Sequence, residues 1–327
     1  MSSCQRHATL FGDGITMARP VSNLAASVHR RLLNISQQRN QEFNRLLILY
    51  VIERLLYRLA QSAYAERFVL KGALCFMVWD VQTHRPTRDL DLLGYGDNTP
   101  SALLAIFTVL CALPVEADGL VFDPQSIRIS DIREEQEYHG QRVNMIAYLG
   151  KARIPIQIDI GVGDLVTPPP LHAEYPTLLE FPAPHLRIYS KESVVAEKLH
   201  AMVELDLTNS RMKDFYDIWT LARLFDFEGE LLVQAIQATF ARRLTAIPED
   251  IPIALTADFA NHADKMRQWD AFIARNRLAV DGATLAQIIM ELHKFLLPPL
   301  QAAAQQQNFR TRWVPPGPWR ALDPHII

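Results

Sequence analysis

The sequence predicts an α+β protein, with a mixed sheet flanked by N-terminal helices and followed by a helical C-terminal half. Apolar residues recur at three- and four-residue steps over residues 21–63, which indicates helices. The period shortens to two between about residues 126 and 164, which indicates strands. Helical spacing returns from residue 190 to about residue 307.

The first helical segment leads into a short strand. Its apolar stripe consists of Leu46, Leu47, Ile52, Leu55, Leu56 and Leu59. Residues 68–70 are a short apolar run that predicts a buried strand, and Gly72 ends it. Residues 73–81 are then expected to form a helix. A second strand is predicted over residues 89–93, where leucines alternate with aspartates.

The next helix has a recognisable start. Thr99 can cap free N–H groups and Pro100 suits the first helical position, so a helix is predicted over residues 101–112. Strands joined by glycine and charged turns are predicted over residues 127–129, 143–148 and 154–160. Three prolines at 168–170 mark a boundary in composition, after which two short strands are expected.

Composition limits the class of protein. Hydrophobic residues make up 49% and charged residues 21%, as in soluble globular proteins. The three cysteines form no C-x-x-C pair, which favours a reducing cytoplasm, and no apolar run reaches the ~18 residues of a membrane span. The net charge is −3, so contact with a nucleic acid would need a local patch. The candidates are Arg30, Arg31, Arg39, Arg54, Arg58, Arg310, Arg312 and Arg320. The alternative is that these arginines are ordinary charges on solvated helix faces and in the tail.

Two carboxylates lie close together on the second predicted strand. Side chains alternate along a strand, so Asp89 and Asp91 point one way and Leu90 and Leu92 the other. Their Cα atoms would lie about 6.6 Å apart. Two like charges on one face repel each other, and a divalent cation between them would remove that cost. Mg²⁺ is the expected cation when a nucleotide phosphate supplies further ligands.

Three other features are ambiguous when taken alone. Lys71 and Gly72 join a strand to a helix, which suits a triphosphate but also an ordinary tight turn. Asp159 lies within a strand pattern, where it would complete a metal site or face water at a sheet edge. In a helix, Lys213 and Asp217 are four residues apart, and the simplest interpretation is a surface salt bridge. The sequence contains no P-loop and no nucleophile elbow.

Together, these segments resemble a known family. They are Glu53-Arg-Leu-Leu-Tyr-Arg-Leu, Phe68-Val-Leu-Lys-Gly72, Arg85-Pro-Thr87-Arg-Asp89-Leu-Asp91, Ile158-Asp159-Ile160, Ala196-Glu-Lys198-Leu and Lys213-Asp214-Phe-Tyr-Asp217. In this order and rough spacing the chain resembles the AbiEii/AbiGii nucleotidyltransferase toxins, which include the MenT toxins and belong to type IV toxin–antitoxin systems. The resemblance covers about residues 42–224.

The resemblance implies a fold like that of DNA polymerase β and assigns roles to individual residues. Asp89 and Asp91 would hold one or two Mg²⁺ ions, with Asp159 as a further metal candidate. The NTP triphosphate would bind near Lys71, Gly72, Ala73 and Thr87. Lys198 would neutralise charge on the phosphate, and Lys213, Asp214 and Asp217 would join the active site, with one of the two aspartates orienting a lysine or the nucleotide.

One residue departs from the family pattern. The wider superfamily follows its glycine with Ser or Gly, whereas this chain has Ala73. The missing hydroxyl leaves phosphate contacts at this position to backbone N–H groups, so the departure bears on nucleotide affinity more than on fold.

Four segments are expected along the chain. Residues 1–20 would be a disordered leader, residues 21–189 the nucleotidyltransferase domain and residues 190–307 a helical domain. Residues 308–327 would be a tail rich in Trp and Pro, whose prolines exclude a helix.

The first functional hypothesis is transfer of a nucleoside monophosphate from an NTP to the 3′ end of tRNA, which would arrest growth. A second keeps the chemistry and makes the acceptor a small molecule or a protein. A third is a degenerate nucleotide-binding module, for which Ala73 is the only indication. The resemblance also implies a cognate antitoxin that need not touch the toxin, and it leaves the oligomeric state open.

Overall fold

The computed structural model describes residues 23–81, 85–132, 140–163, 166–278, 280 and 282–322. Ten helices lie in these ranges: α1 Leu24–Gln38, α2 Phe43–Ala60, α3 Cys75–Val78, α4 Pro100–Ala112, α5 Lys191–Leu205, α6 Met212–Leu224, α7 Gly229–Arg242, α8 Ala257–Asn261, α9 Ala263–Asn276 and α10 Leu285–Ala304. The expected leader over residues 1–20 lies outside the described residues.

The same ranges contain ten strands in two sheets. They are β1 Phe68–Lys71, β2 Asp89–Gly94, β3 Leu120–Asp131, β4 Gly140–Leu149, β5 Ala152–Val162, β6 Leu171–Glu174, β7 His185–Ile188, β8 Phe227–Glu228, β9 Thr311–Trp313 and β10 Trp319–Ala321. The seven-stranded sheet has the order β3-β4-β5-β2-β1-β7-β6. It is mixed, because β2 pairs with β5 and β1 with β7 in parallel while its other pairs are antiparallel. The predicted α+β class with a mixed sheet is confirmed.

The sheet places β1, β2 and β5 at its centre. Leu90 and Leu92 of β2 are buried, as are Ile158 and Ile160 of β5, so one face of these strands belongs to the hydrophobic core. Helix α2 packs against this sheet, and α4 packs against β3. From α5 to α10 helices dominate the described residues, with α10 packed against α6 and α7. Among the helices in the described ranges, none combines the length and apolarity that a membrane span requires.

The predicted helix over residues 73–81 is wrong in its extent. A 3₁₀ turn covers Gly72–Leu74, and α3 ends at Val78. Asp80 adopts a left-handed backbone with φ 59°, and the Val81 N–H donates to the Phe76 carbonyl at 2.9 Å. This is the bonding pattern with which a left-handed residue closes a helix end, and it stops the helix early.

Residues 311–321 pack against the helical half. Strands β9 and β10 form a hairpin, and β9 pairs with β8. Trp313 is buried and donates its indole N–H to the Ala222 carbonyl at 2.7 Å, while Trp319 stacks on Phe295. The division of the chain into domains stays a prediction.

Two of the arginines proposed for nucleic-acid contact are buried instead. Arg54 is 1% exposed and Arg58 is 6% exposed. Arg58 donates two hydrogen bonds to the carboxylate of Asp118, and Arg54 donates two to the Pro182 carbonyl. Both side chains therefore connect α2 to neighbouring loops and cannot reach a nucleic acid.

The same region contains a buried acid that predicts a pH-dependent stability. Burial raises the pKa of Glu53 to about 7, although the Leu178 N–H donates to its carboxylate and Arg54 lies beside it. The folded protein therefore holds this proton more tightly than the unfolded chain does. The resulting stabilisation is complete below the ordinary pKa of 4.5 and disappears as the pH rises through 7.

We expect Glu53→Gln to remove this dependence. Urea unfolding between pH 5 and pH 8 should show the wild type losing about 2–3 kcal/mol relative to the variant. Parallel stability curves for the two proteins would contradict the assignment.

Candidate active site

Four charged residues lie side by side across the centre of the large sheet. Register pairs Arg142 of β4 with Asp159 of β5, Asp159 with Asp91 of β2, and Asp91 with Lys71 of β1. Directly paired residues project from the same face of a sheet. Two carboxylates thus lie between two cations, and Asp89 lies two residues before Asp91 on β2. Asp89 is exposed and Asp91 is half-buried.

Gly72 makes room for the Asp91 carboxylate. Its φ of 72° is left-handed, and a Cβ at this position would lie 2.2 Å from Asp91 Oδ2. The turn after β1 is therefore shaped around the carboxylate on the neighbouring strand. Only glycine combines this backbone conformation with so close an approach.

We expect Gly72→Ala to damage the site beyond its backbone cost. Gly282 is a matched control, since it has φ 76° and a Cβ added to it would meet nothing within 4 Å. Gly282→Ala should cost about 1–2 kcal/mol of unfolding free energy, the usual cost of a left-handed residue. Gly72→Ala should cost about 1–3 kcal/mol more, because Asp91 must move. Urea denaturation checks this, and equal losses would contradict it.

Asp159 is held by an arginine that the sequence did not indicate. Arg142 Nε and Nη2 donate to Asp159 Oδ1 and Oδ2, each at 2.8 Å. Within the described ranges, no three carboxylate, imidazole or thiol groups are gathered closely enough to hold a metal ion. A metal role for Asp159 stays a prediction, and it would require the carboxylate to exchange Arg142 for the ion.

The residues at Asp91 nevertheless suit a divalent cation. Burial raises the pKa of Asp91; Lys71 and Lys213 act against this, while Asp159 and Asp89 add to it. A desolvated carboxylate that is repelled by two further acids gains from a positive ion beside it. Oxygen ligands of this kind are those that Mg²⁺ prefers.

Asp214 and Asp217 of α6 are buried acids in an ion network, and the surface salt bridge expected between Lys213 and Asp217 is wrong. Both aspartates are 0% exposed. Lys198 Nζ lies 2.5 Å from Asp214 Oδ1 and 2.8 Å from Asp217 Oδ2. Lys213 is exposed. The helix turns its two acids inward, toward α5, and leaves Lys213 outside.

Two arginines complete this network. Arg85 donates to both oxygens of Asp217 at 2.7 and 2.9 Å, and Arg211 Nε donates to Asp214 at 2.8 Å. Burial lowers the pKa of Lys198, but Asp214 and Asp217 outweigh it and the net shift is upward. Lys198 is therefore a firmly charged ammonium group with a fixed position. Through Arg85, the network also connects the segment before β2 to α5, which carries Lys198, and to α6, which carries the two aspartates.

The remaining predicted site residues lie on the turns around the carboxylates. Lys71 points toward Glu197 of α5, 3.6 Å away, and Ala73 is buried in the 3₁₀ turn. Thr87 is half-buried, and its hydroxyl donates to the Asp89 carbonyl at 3.4 Å. The nucleotide-binding roles of Lys71, Gly72, Ala73 and Thr87 stay predictions.

Sequence reasoning gave no role to several residues that the structure places here. They are Arg85, Arg142, Tyr189, Glu197, Arg242 and Arg243. Arg85 and Glu197 lie within the family-like motifs, and those motifs could have indicated them. No sequence pattern indicates the arginines at 242 and 243, because only the packing of α5 against α7 brings them to the sheet.

Comparisons with known proteins agree with the sequence motifs. The family model described as "Nucleotidyl transferase AbiEii toxin, Type IV TA system" matches residues 54–297, which is more than half of the chain. No curated protein matches the sequence.

Two solved structures from Helicobacter pylori are similar. A "putative nucleotidyltransferase" has 14% identity and a TM-score of 0.40, covering 88% of this chain and 95% of that one. JHP933 has 15% identity and a TM-score of 0.40, covering 88% and 93%. These TM-scores are too low to carry an argument, so the assignment rests on the family match. The chain belongs to the AbiEii family of nucleotidyltransferase toxins of type IV toxin–antitoxin systems.

Proposed function

We propose that this nucleotidyltransferase moves a nucleoside monophosphate from an NTP to the 3′-terminal hydroxyl of tRNA at the Asp89–Asp91 pair, and that this arrests growth. The observation that carries the proposal is the position of Asp91, whose carboxylate contacts the Gly72 turn and faces Lys71 in register. A carboxylate pair beside a turn with a lysine brings metal ligands and phosphate ligands together.

Asp89 and Asp91 would hold Mg²⁺, and Asp159 is the third candidate ligand. When bound, the ion supplies positive charge to the phosphates and lowers the cost of deprotonating the acceptor hydroxyl. The desolvated carboxylate of Asp91, with two further acids nearby, supports this assignment.

Lys198 would stabilise charge on the reacting phosphate. The acceptor oxygen bonds to the α-phosphorus, the bond from that phosphorus to the β-phosphate bridging oxygen breaks, and pyrophosphate leaves. The hydroxyl proton passes to solvent. Asp214 and Asp217 hold Lys198 in one place before the reaction, so little reorganisation is needed as charge develops. In this arrangement both aspartates are positioning residues. Lys213, which is exposed beside them, would contact the incoming ligand.

The acceptor is tested by incubating the protein with α-labelled NTP and either total RNA or lysate. We expect label in the tRNA fraction, and we expect periodate oxidation of the RNA 3′ ends to abolish it. Label that enters only protein or a small metabolite would overturn the tRNA acceptor and favour the second hypothesis. The type IV family implies a cognate antitoxin, which we propose acts without needing to contact this chain.

Growth on expression separates catalysis from a non-catalytic module. We expect wild-type protein to arrest growth and the Asp89→Ala variant to be harmless, because the variant lacks a proposed metal ligand. The two proteins should reach the same soluble level, because the exposed Asp89 side chain supports no core packing. Arrest by the Asp89→Ala variant would show that metal-dependent transfer is not the cause.

A further inference from the structure

The face of the large sheet that carries the carboxylate pair continues across β5, β4 and β3. Gln157 of β5 pairs with Asp89 on one side and with Asn144 of β4 on the other. Directly paired residues share a face of a sheet, and so do alternate residues along a strand. We call the outer part of this face the open sheet face, which consists of Val121, Arg128, Asn144, Ile146, Tyr148 and Arg153.

This face is turned toward solvent in the part of the chain that the structure describes. Val121 is 65% exposed, and Asn144 and Arg153 are exposed as well. The next residues along the same strands point the other way, and Phe122 and Val143 are buried in the core. The sheet therefore has one face in the core and one accessible face, which begins at the carboxylate pair.

The cations on and beside the open sheet face have no acidic partner among the described residues. Arg153, and Lys151 in the turn between β4 and β5, are exposed and form no ion pair there. Arg128 donates to backbone carbonyls of its own strand. The acid nearest to them in register is Asp123, whose carboxylate accepts the N–H of residue 125. A polyanion can pair with these cations without displacing an ion pair.

An aromatic ring lies between one of these cations and an apolar side chain. Tyr148 of β4 is paired with Arg153 on one side and with Val121 on the other. Its ring is half-buried, and within the described ranges it stacks on no aromatic ring and its hydroxyl makes no hydrogen bond. Ile146, two residues earlier, adds apolar surface. Unpaired bases stack on aromatic rings of this kind, and a neighbouring guanidinium contacts the phosphates.

The open sheet face is long enough for several nucleotides. Arg153 lies six residues before Asp159 on β5, which corresponds to about 20 Å along the strand. Asn144 lies between these ends, and its side-chain amide makes no hydrogen bond among the described residues. An amide can both donate to a base edge and accept from it. Cations, a ring and an amide thus follow one another away from the carboxylate pair.

We propose that the open sheet face binds the unpaired 3′ strand of the acceptor RNA, with the terminal hydroxyl at the carboxylate pair. The upstream nucleotides cross β5 and β4 toward the turn at Lys151. Tyr148 stacks on one of their bases, and Arg128 and Arg153 contact their phosphates. The inference rests on the proposed transfer to an RNA 3′ end. It adds that the protein selects an unpaired strand, because the bases of a duplex are closed to the tyrosine ring.

Fluorescence anisotropy of the full-length protein with a short single-stranded RNA tests this surface without NTP. The RNA carries fluorescein on its 5′ end and keeps a free 3′ hydroxyl. We expect Tyr148→Ala and Arg153→Ala each to weaken binding at least about fivefold. Tyr148→Phe keeps the ring and should bind as the wild type does. Arg275→Ala is the control for Arg153, because Arg275 on α9 is also exposed and has no ion pair in the described ranges. It should leave binding unchanged.

Salt dependence separates the two kinds of contact. Arg153→Ala should reduce the slope of log K against log salt concentration by about 0.7, the value for one phosphate contact on a single strand, and Tyr148→Ala should leave it unchanged. The same RNA sequence in a blunt duplex should bind more weakly than the single strand. Wild-type protein that binds neither RNA, equal affinity for the two, or unchanged single-strand affinity in either alanine variant would overturn the surface.

Photocrosslinking of wild-type protein gives an answer even if Tyr148→Ala folds poorly. Iodouridine placed upstream of the 3′ end crosslinks to an aromatic ring on which it stacks, and peptide mass spectrometry locates the residue. We expect the crosslink at Tyr148. Crosslinks confined to elements other than β3, β4 and β5, or none, would overturn the proposal. RNA that binds this face but receives no label from NTP would refute the proposed function and leave the surface standing. Labelled tRNA together with unchanged binding by Arg153→Ala would do the reverse.

Discussion

Asp91→Asn is expected to lower the rate of nucleotidyl transfer by at least about a hundredfold. The loss of one charge-stabilising group in an active site usually lowers the rate by about this factor. The amide has almost the same shape as the carboxylate, so the contact with the Gly72 turn is kept. It cannot supply the negative charge that a divalent cation needs. The rate at saturating NTP and Mg²⁺ is the measurement.

Stability should move in the opposite direction. Burial and two neighbouring acids disfavour the ionised form of Asp91, so the variant should be at least as stable as the wild type in urea. Asp131→Asn is a control at the exposed end of β3, where the carboxylate accepts a hydrogen bond from Gln141, and it should leave the rate unchanged. A fully active Asp91→Asn variant would contradict the assigned role.

Asp217→Ala is expected to lower the free energy of unfolding by about 3–5 kcal/mol, the usual cost of removing one partner from a buried ion pair. The Asp217 side chain is fully buried and contacts both Arg85 and Lys198. Without Asp217, Arg85 loses the carboxylate that accepts two of its hydrogen bonds. Buried Lys198 then keeps Asp214 as its partner but loses its second carboxylate.

A surface pair of the same chemistry gives the control. Asp226 lies 2.6 Å from Arg312, but its side chain is 44% exposed and that of Arg312 is 54% exposed. Asp226→Ala should therefore cost no more than about 1 kcal/mol. Urea unfolding of both variants decides the matter, and equal losses would show that the buried network contributes no more than a surface pair.

Local signals in the sequence predicted much of the sheet. The strand expected at residues 89–93 is β2 at Asp89–Gly94, and the Thr99–Pro100 start gives α4 at Pro100–Ala112. Alternation and capping depend on neighbouring residues, so they can be read from a short stretch. The helix over residues 73–81 was wrong because a left-handed turn at Asp80, invisible in the apolar pattern, ends it.

The partners within the site could not be predicted in this way. Arg85 contacts Asp217 across 132 residues of sequence, and Arg142 contacts Asp159 only because β4 and β5 pair in one register. Helical spacing suggested that Asp217 would face solvent near Lys213, whereas the packing of α6 against α5 turns it inward. Such contacts depend on the order of strands and helices in space.

Incubation of the protein and total RNA with ATP labelled at either the α- or the γ-phosphate, repeated with each of the other three nucleotides, tests the central claim most directly. Nucleotidyl transfer predicts that the α-label enters the acceptor, that the γ-label is recovered as pyrophosphate, and that both signals vanish with Asp91→Asn. Entry of the γ-label into the acceptor, or α-labelling that survives Asp91→Asn, would contradict nucleotidyl transfer at this carboxylate pair.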